Sequence, residues 1–129
     1  MRAIGQVRRR SVLMTVTRNQ VLVEQVSVAF RDDHDVVAVD KLDKAIELVR
    51  RGARPQIILS DLSERESVKM HSYLQRLAPE LAERIVFLFD SAISVTTRAF
   101  LDSISNHRLE RTLDPMKICD SVRSRIKRR

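Results

Sequence analysis

The sequence predicts a doubly wound α/β domain, with five parallel strands in the order 2-1-3-4-5 and five covering helices. Three observations predict it. Short, mostly apolar, β-branched runs alternate along the chain with segments whose apolar residues repeat at helical spacing. The runs lack the strict in–out alternation of a half-exposed sheet, which marks strands buried on both faces. At 129 residues one domain holds all of them. Right-handed crossovers then give the doubly wound order and place any site at the carboxyl ends of the strands, beside the first and third.

Residues 1–10 read as a flexible basic arm, and 11–129 as a single domain. The first strand is the run 12–16. Asn19 caps a first helix reaching about Phe30, with Leu22, Val26, Ala29 and Phe30 on one face. A polar turn, Arg31-Asp32-Asp33-His34, leads to the second strand at 35–39. Asp40 is expected to cap the next helix, with Leu42, Ala45, Ile46 and Val49 inward and Gly52 as its stop. The third strand, 56–60, ends on Asp61. A polar loop from Leu62 to Ser67 precedes a helix anchored by Val68, Leu74 and Leu77, in which His71 reads as a surface residue. The fourth strand is 84–89. Ser94 caps a helix carrying Val95, Ala99, Phe100 and Ile104. A short fifth strand, 108–110, is followed by Asp114-Pro115, a capping acid and a first-turn proline opening the last helix. Met116, Ile118, Cys119, Val122 and Ile126 form its apolar side.

Composition excludes several functions. There are only two glycines, Gly5 and Gly52, so no glycine-rich loop can cradle a phosphate or a dinucleotide. The three histidines and the single cysteine show no zinc-ligand spacing. No Ser-His-Asp or Cys-His arrangement has supporting motifs, so the chain reads as non-enzymatic. The lone Cys119 cannot close an intramolecular disulfide and reads as a buried hydrophobe, which favours a cytoplasmic setting. The first apolar run is too short to span a bilayer, and no targeting segment is read.

The net charge of +7 is unevenly distributed. Arg2, Arg8, Arg9 and Arg10 precede the first strand, and Arg123, Arg125, Lys127, Arg128 and Arg129 end the chain. Between them the body is slightly acidic. In this fold both ends lie at the pole opposite Asp61, so the cationic tails converge if ordered. They read either as solubilising tails or as a contact to an acidic surface or nucleic acid. Sequence-specific reading of nucleic acid is not expected, given one tyrosine, four phenylalanines and no recognition-helix motif.

Several segments resemble, in order and spacing, the receiver domain of two-component response regulators. They are Ile57-Ile58-Leu59-Ser60-Asp61-Leu62, Ile85-Val86-Phe87-Leu88, Arg98-Ala99-Phe100-Leu101, and Leu109-Glu110-Arg111-Thr112-Leu113-Asp114-Pro115. They look similar to receivers attached to hybrid sensor histidine kinases, and the resemblance covers about residues 10–128. It implies the flavodoxin-like receiver fold. In that family a phosphoryl group passes from a histidine to an Asp on the third strand. An acidic pair after the first strand helps hold Mg²⁺, and a Ser or Thr hydroxyl and a Lys contact the phosphoryl oxygens. Such transfer rests on positioning and neutralising anionic oxygens.

The resemblance places Asp61 on the phosphoacceptor position and departs from the pattern around it. The acidic pair aligns with Val16 and Thr17, the hydroxyl position with Phe89, the lysine position with Arg111 and the aromatic switch position with Arg108. One carboxylate beside a cation should hold Mg²⁺ poorly. Arg111 presents a planar fork suited to a carboxylate, so it is expected to pair with Asp61. Phe89 reads as an extra core residue. Asp90, one residue further, is a candidate substitute carboxylate.

The expectation is therefore a degenerate receiver. It would be a protein-interaction module in bacterial phosphorelay signalling, without catalytic residues, resident metal or cofactor. It would meet a signalling protein or sensor kinase through residues 94–126, with a homodimer as a further arrangement. Two alternatives stand beside it. In one, Asp61 is a working phosphoacceptor that uses Mg²⁺. In the other, the chain binds nucleic acid or an acidic surface through its basic ends.

Overall fold

A computed structural model describes residues 10–111 and 114–127. The expected flexible arm, apart from Arg10, lies outside the described residues, as do Thr112, Leu113, Arg128 and Arg129. Five strands form one parallel sheet: β1 (Ser11–Val16), β2 (His34–Val39), β3 (Ile57–Ser60), β4 (Ile85–Phe89) and β5 (Arg108–Glu110). Their order is β2-β1-β3-β4-β5, as the sequence predicts. Val16 faces Ser60 across the β1–β3 ladder, so the ends of the first and third strands lie level.

Among the described residues six helices cover the sheet: α1 (Gln20–Phe30), α2 (Leu42–Arg50), α3 (Glu64–Leu77), α4 (Pro79–Ala82), α5 (Val95–Asp102) and α6 (Pro115–Lys127). The sixth, α4, is a four-residue turn opened by Pro79 and too short for a periodic signal. The strands divide the core in two. Leu13, Ile57, Leu59, Val86 and Leu88 face α1 and α6, whereas Met14, Ile58, Ile85, Phe87 and Phe89 face α2, α3 and α5. Consecutive residues of one run serve opposite cores, which is why the runs are apolar throughout.

Local chemistry sets most boundaries. The Asn19 side chain accepts from the Val21 and Leu22 amides at 3.1 and 3.3 Å, and Ser94 Oγ accepts from the Thr97 amide at 3.1 Å. Gly52 ends α2 at φ 107°. Its amide donates to Val49 O and that of Ala53 to Leu48 O, closing a Schellman turn. Asp40 does not cap α2. The cap position is Lys41, with no side-chain cap bond, and Asp40 instead pairs with Lys44 at 2.9 Å. The face of α3 also differs from expectation. Leu74 is buried as expected, but Ser67, Met70 and His71 are buried with it, whereas Leu77 is exposed and Val68 is half-buried. His71 sits edge-on to Phe100 at 5.2 Å, and burial holds its pKa below the ordinary value, keeping it neutral as an aromatic filler. Val95, Ala99 and Met116 also face solvent, and Thr97 and Leu101 carry the buried side of α5. Ile118, Cys119 and Val122 are buried as expected, and burial raises the Cys119 thiol pKa.

Thr15, in the middle of β1, is fully buried and its hydroxyl has no hydrogen-bond partner among the described residues. Thr15→Val keeps the shape and removes the orphaned group. The expected result is a gain of about 1 kcal/mol, or roughly 3–4 °C in Tm for a chain of this size, measured by thermal denaturation.

Candidate functional site

The site is built where the ends of β1, β3, β4 and β5 meet. Backbone bonds carry the ladder past each strand: the Asp61 amide donates to Val16 O at 2.9 Å, and the Arg111 amide to Phe89 O at 2.8 Å. These bonds fix the Cα positions from which Asp61 and Arg111 approach each other.

Arg111 Nε donates to Asp61 Oδ1 at 2.6 Å. The other carboxylate oxygen, Oδ2, accepts from Thr17 Oγ1 at 2.6 Å. Thr17 is nearly fully buried, and its oxygen in turn accepts from the Asn19 amide at 3.0 Å. The Asp61 side chain is 10% exposed and that of Arg111 33%, so the pair is largely withdrawn from water. The guanidinium does more than neutralise Asp61. Its Nη2 donates to Leu62 O at 2.7 Å and Leu88 O at 3.1 Å, and its Nη1 lies 3.3 Å from Asp90 Oδ2. One side chain thus ties the end of β5 to the turn after β3 and to the end of β4. Lysine, with a single ammonium, cannot span these partners.

The remaining sequence-assigned positions fall around this pair. Val16 is buried in the α2–α3–α5 core and offers no polar group. Phe89 is buried and stacked on Phe87, with centroids 5.6 Å apart and planes 6° from parallel. Asp90 is exposed and meets the same guanidinium rather than a separate site. Arg108, at the aromatic switch position, is exposed on β5. A cavity of about 370 Å³ opens beside Asp61, flanked by Arg18, Asn19, Ser63, Glu66 and Arg111.

These residues do not fit Mg²⁺. That ion requires oxygen ligands in near-octahedral geometry, most of its charge balance coming from carboxylates. Both Asp61 oxygens are already engaged, Val16 and Thr17 add no carboxylate, and Arg111 brings a positive charge to 2.6 Å. Among the described residues no three His, Cys, Asp or Glu side chains converge as a metal site.

Two features of the site had no local signal in the sequence. The first is the role of the Thr17 hydroxyl as a donor to Asp61. The second is Glu64, in the first turn of α3, which reaches α5: the Ser94 amide donates to Glu64 Oε1 at 3.1 Å. Hydrogen bonds from Thr97 first, and then from the Ser94 amide, hold the Glu64 carboxyl below its ordinary pKa. The turn 61–64 is thereby fastened at one end to β5 through Arg111 and at the other to the start of α5 through Glu64. A depressed carboxyl supports the fold above its unfolded-state pKa and loses that support as pH falls through the folded-state value. The brace should therefore hold at neutral pH and release below the ordinary glutamate value of 4.5. The protection factors of amides 94–102, which correct for the slower intrinsic exchange at low pH, should fall there, and Glu64→Gln should lower them likewise at pH 7.

No protein-family model and no curated protein matches the chain. Solved structures do. The chain is similar to the signal receiver domain of a LuxO repressor protein from Vibrio parahaemolyticus, at 18% identity and TM-score 0.69, covering 93% of this chain and 92% of that one. A response regulator from Thermotoga maritima matches at 14% identity and TM-score 0.72, over 92% and 99% of the two chains. A CheY-like receiver domain protein from Methanospirillum hungatei matches at 10% identity and TM-score 0.73, over 93% and 96%. The chain therefore has the fold of a response-regulator receiver domain. At these identities the likeness carries the fold alone, and function has to be argued from the site.

Proposed function

We propose that the chain is a degenerate receiver, a non-enzymatic protein-interaction module of two-component signalling, in which an internal ion pair replaces the metal and phosphoryl group. The observation that carries this reading is the contact of Arg111 Nε with Asp61 Oδ1 at 2.6 Å, with Thr17 closing the other oxygen at 2.6 Å. To accept a phosphoryl group, the Asp61 oxygen that attacks phosphorus would first have to shed a partly buried, hydrogen-bonded cation. A divalent ion would have to displace the same cation without the acidic pair that normally attracts it.

In this reading the domain holds one conformation set by Arg111 and Glu64. The face formed by α5, β5 and α6, residues 94–126, then serves a protein partner in a fixed shape. A cavity of about 260 Å³ between α5 and β5, floored by Phe89, Leu101 and Leu109 and rimmed by Arg98 and Arg108, gives that face relief. Among the described residues no helix is long and apolar enough to cross a membrane. A cytoplasmic partner is proposed.

The test is an NMR titration of the full chain with Mg²⁺ and with a phosphate analogue, with Asp61→Asn as control. Amide shifts around Asp61 should stay unchanged in both proteins. Saturable shifts at Asp61 that vanish in Asp61→Asn would instead support the working phosphoacceptor, with Asp90 as the added carboxylate.

A further inference from the structure

In a parallel α/β sheet the strands start, and the helices between them end, at one pole. Here that pole, opposite Asp61, collects arginine. Arg10 and Arg31 lead into β1 and β2. Arg50 and Arg51 close α2, and Arg54 lies just before β3. Arg76 is in the last turn of α3, and Arg84 immediately precedes β4. Arg123 and Arg125 lie in the last turns of α6. Lysine is nearly absent there: of the chain's five, Lys41, Lys44, Lys69 and Lys117 lie elsewhere, and only Lys127 ends α6. Asp32, Asp33, Asp35, Glu80, Glu83 and Asp102 offset part of this charge.

Some of these arginines have structural duties. Arg123 donates to Ala29 O at the end of α1, Arg54 to Val49 O at the end of α2, and Arg84 to Pro55 O. Cations at helix C-termini are favourable on their own account. Helix complementarity, however, does not require arginine over lysine, and among the described residues the side chains of Arg31, Arg76 and Arg125 form no ion pair with a carboxylate. The outer strands of the sheet stand roughly 20 Å apart at this pole, so the charge is spread over a broad end rather than gathered in a groove.

We propose that this arginine pole docks, without sequence preference, on the phosphate backbone of duplex nucleic acid. Planar guanidinium forks match phosphate oxygens, and a broad cationic end matches a row of phosphates. A single-stranded partner would need exposed rings for base stacking. The one tyrosine, Tyr73, is instead covered by Arg50 and Arg76, whose guanidiniums lie 5.4 and 5.7 Å from its centroid. A bilayer would call for apolar side chains to insert. Among the described residues the two most exposed ones, Val95 and Met116, open α5 and α6 at the opposite pole, and Val28 and Leu77, at the ends of α1 and α3, are the exposed apolar side chains near this one.

The test uses the full chain and a fluorescent duplex of about 25 base pairs of arbitrary sequence, followed by anisotropy at several salt concentrations. Binding should weaken with salt on a log–log slope of roughly −4 to −6. The triple variant R31E/R76E/R125E should bind at least ~10-fold more weakly, and K41E/K69E/K117E, with the same net charge change, less than ~3-fold. The milder R31A/R76A/R125A should flatten the slope by about 2–3, which protects the test if the reversed triple folds poorly. Equal losses in the arginine and lysine triples would overturn the proposal, as would no binding at ~50 mM salt or tighter binding to phosphatidylserine vesicles or polyglutamate than to the duplex. Neither Mg²⁺ nor Asp61→Asn enters the measurement, so its failure is separate from failure of the degenerate-receiver reading.

Discussion

Arg111→Ala should lower stability by about 2–3 kcal/mol, or roughly 7–11 °C in Tm. Breaking a fully buried ion pair costs about 3–5 kcal/mol, and the lower figure reflects the one-third exposure of Arg111, whose side chain is 33% accessible. The loss has two sources. Asp61, 10% exposed, keeps only the Thr17 hydroxyl against its charge among the described residues. Leu62 O and Leu88 O lose their side-chain donor. Arg111→Lys separates the two: it restores a positive charge but not the fork, so it should recover less than half of the loss. A double-mutant cycle of Asp61→Asn with Arg111→Ala should give a coupling of about 1–3 kcal/mol by thermal or urea denaturation. A coupling near zero, with Arg111→Ala at wild-type stability, would mean that the contact carries no energy and that the site is not filled from within.

The parts of this molecule legible in the sequence are those imposed by burial. A parallel strand covered on both faces must be apolar at consecutive positions, so the runs ending at Val16, Ser60 and Phe89 declare themselves, and the crossover rule orders them. The meeting of Asp61 and Arg111 was legible for the same reason. Both follow strands whose carboxyl ends share a rim, so fifty residues of separation do not keep them apart. Caps made by a residue's own neighbours, at Asn19, Ser94 and Gly52, were also readable. Asp40 was misjudged because Lys44, one turn on, competes for its carboxylate. On α3 the apolar letters Val68 and Leu77 outweighed the spacing of Ser67, Met70, His71 and Leu74, which is the face that is buried. Glu64 reaching Ser94 across 30 positions left no trace, since a charged residue in the first turn of a helix is ordinary in either role.

Phe89→Thr tests the other half of the site, because it restores a hydroxyl at the place where the receiver pattern has one. If the site lacked only that group, the variant should gain affinity for Mg²⁺ or a phosphate analogue. The structure argues for a different outcome. Phe89 is 4% exposed and stacked on Phe87, which in turn meets Phe100 edge-on at 6.0 Å. Removing the ring leaves a cavity under α5, and threonine's strand preference offsets little of it. The expected cost is about 3 kcal/mol, or roughly 11 °C in Tm. Amide exchange in α5 should speed up with it, since Phe87, against which Phe100 packs, loses its stacking partner. Ion affinity should not change: both oxygens of Asp61 stay bound to Thr17 and Arg111 through hydrogen bonds that do not use the Phe89 side chain. A variant that folded loosely yet bound Mg²⁺ at Asp61 would show that the phenylalanine, rather than the ion pair, keeps the metal out.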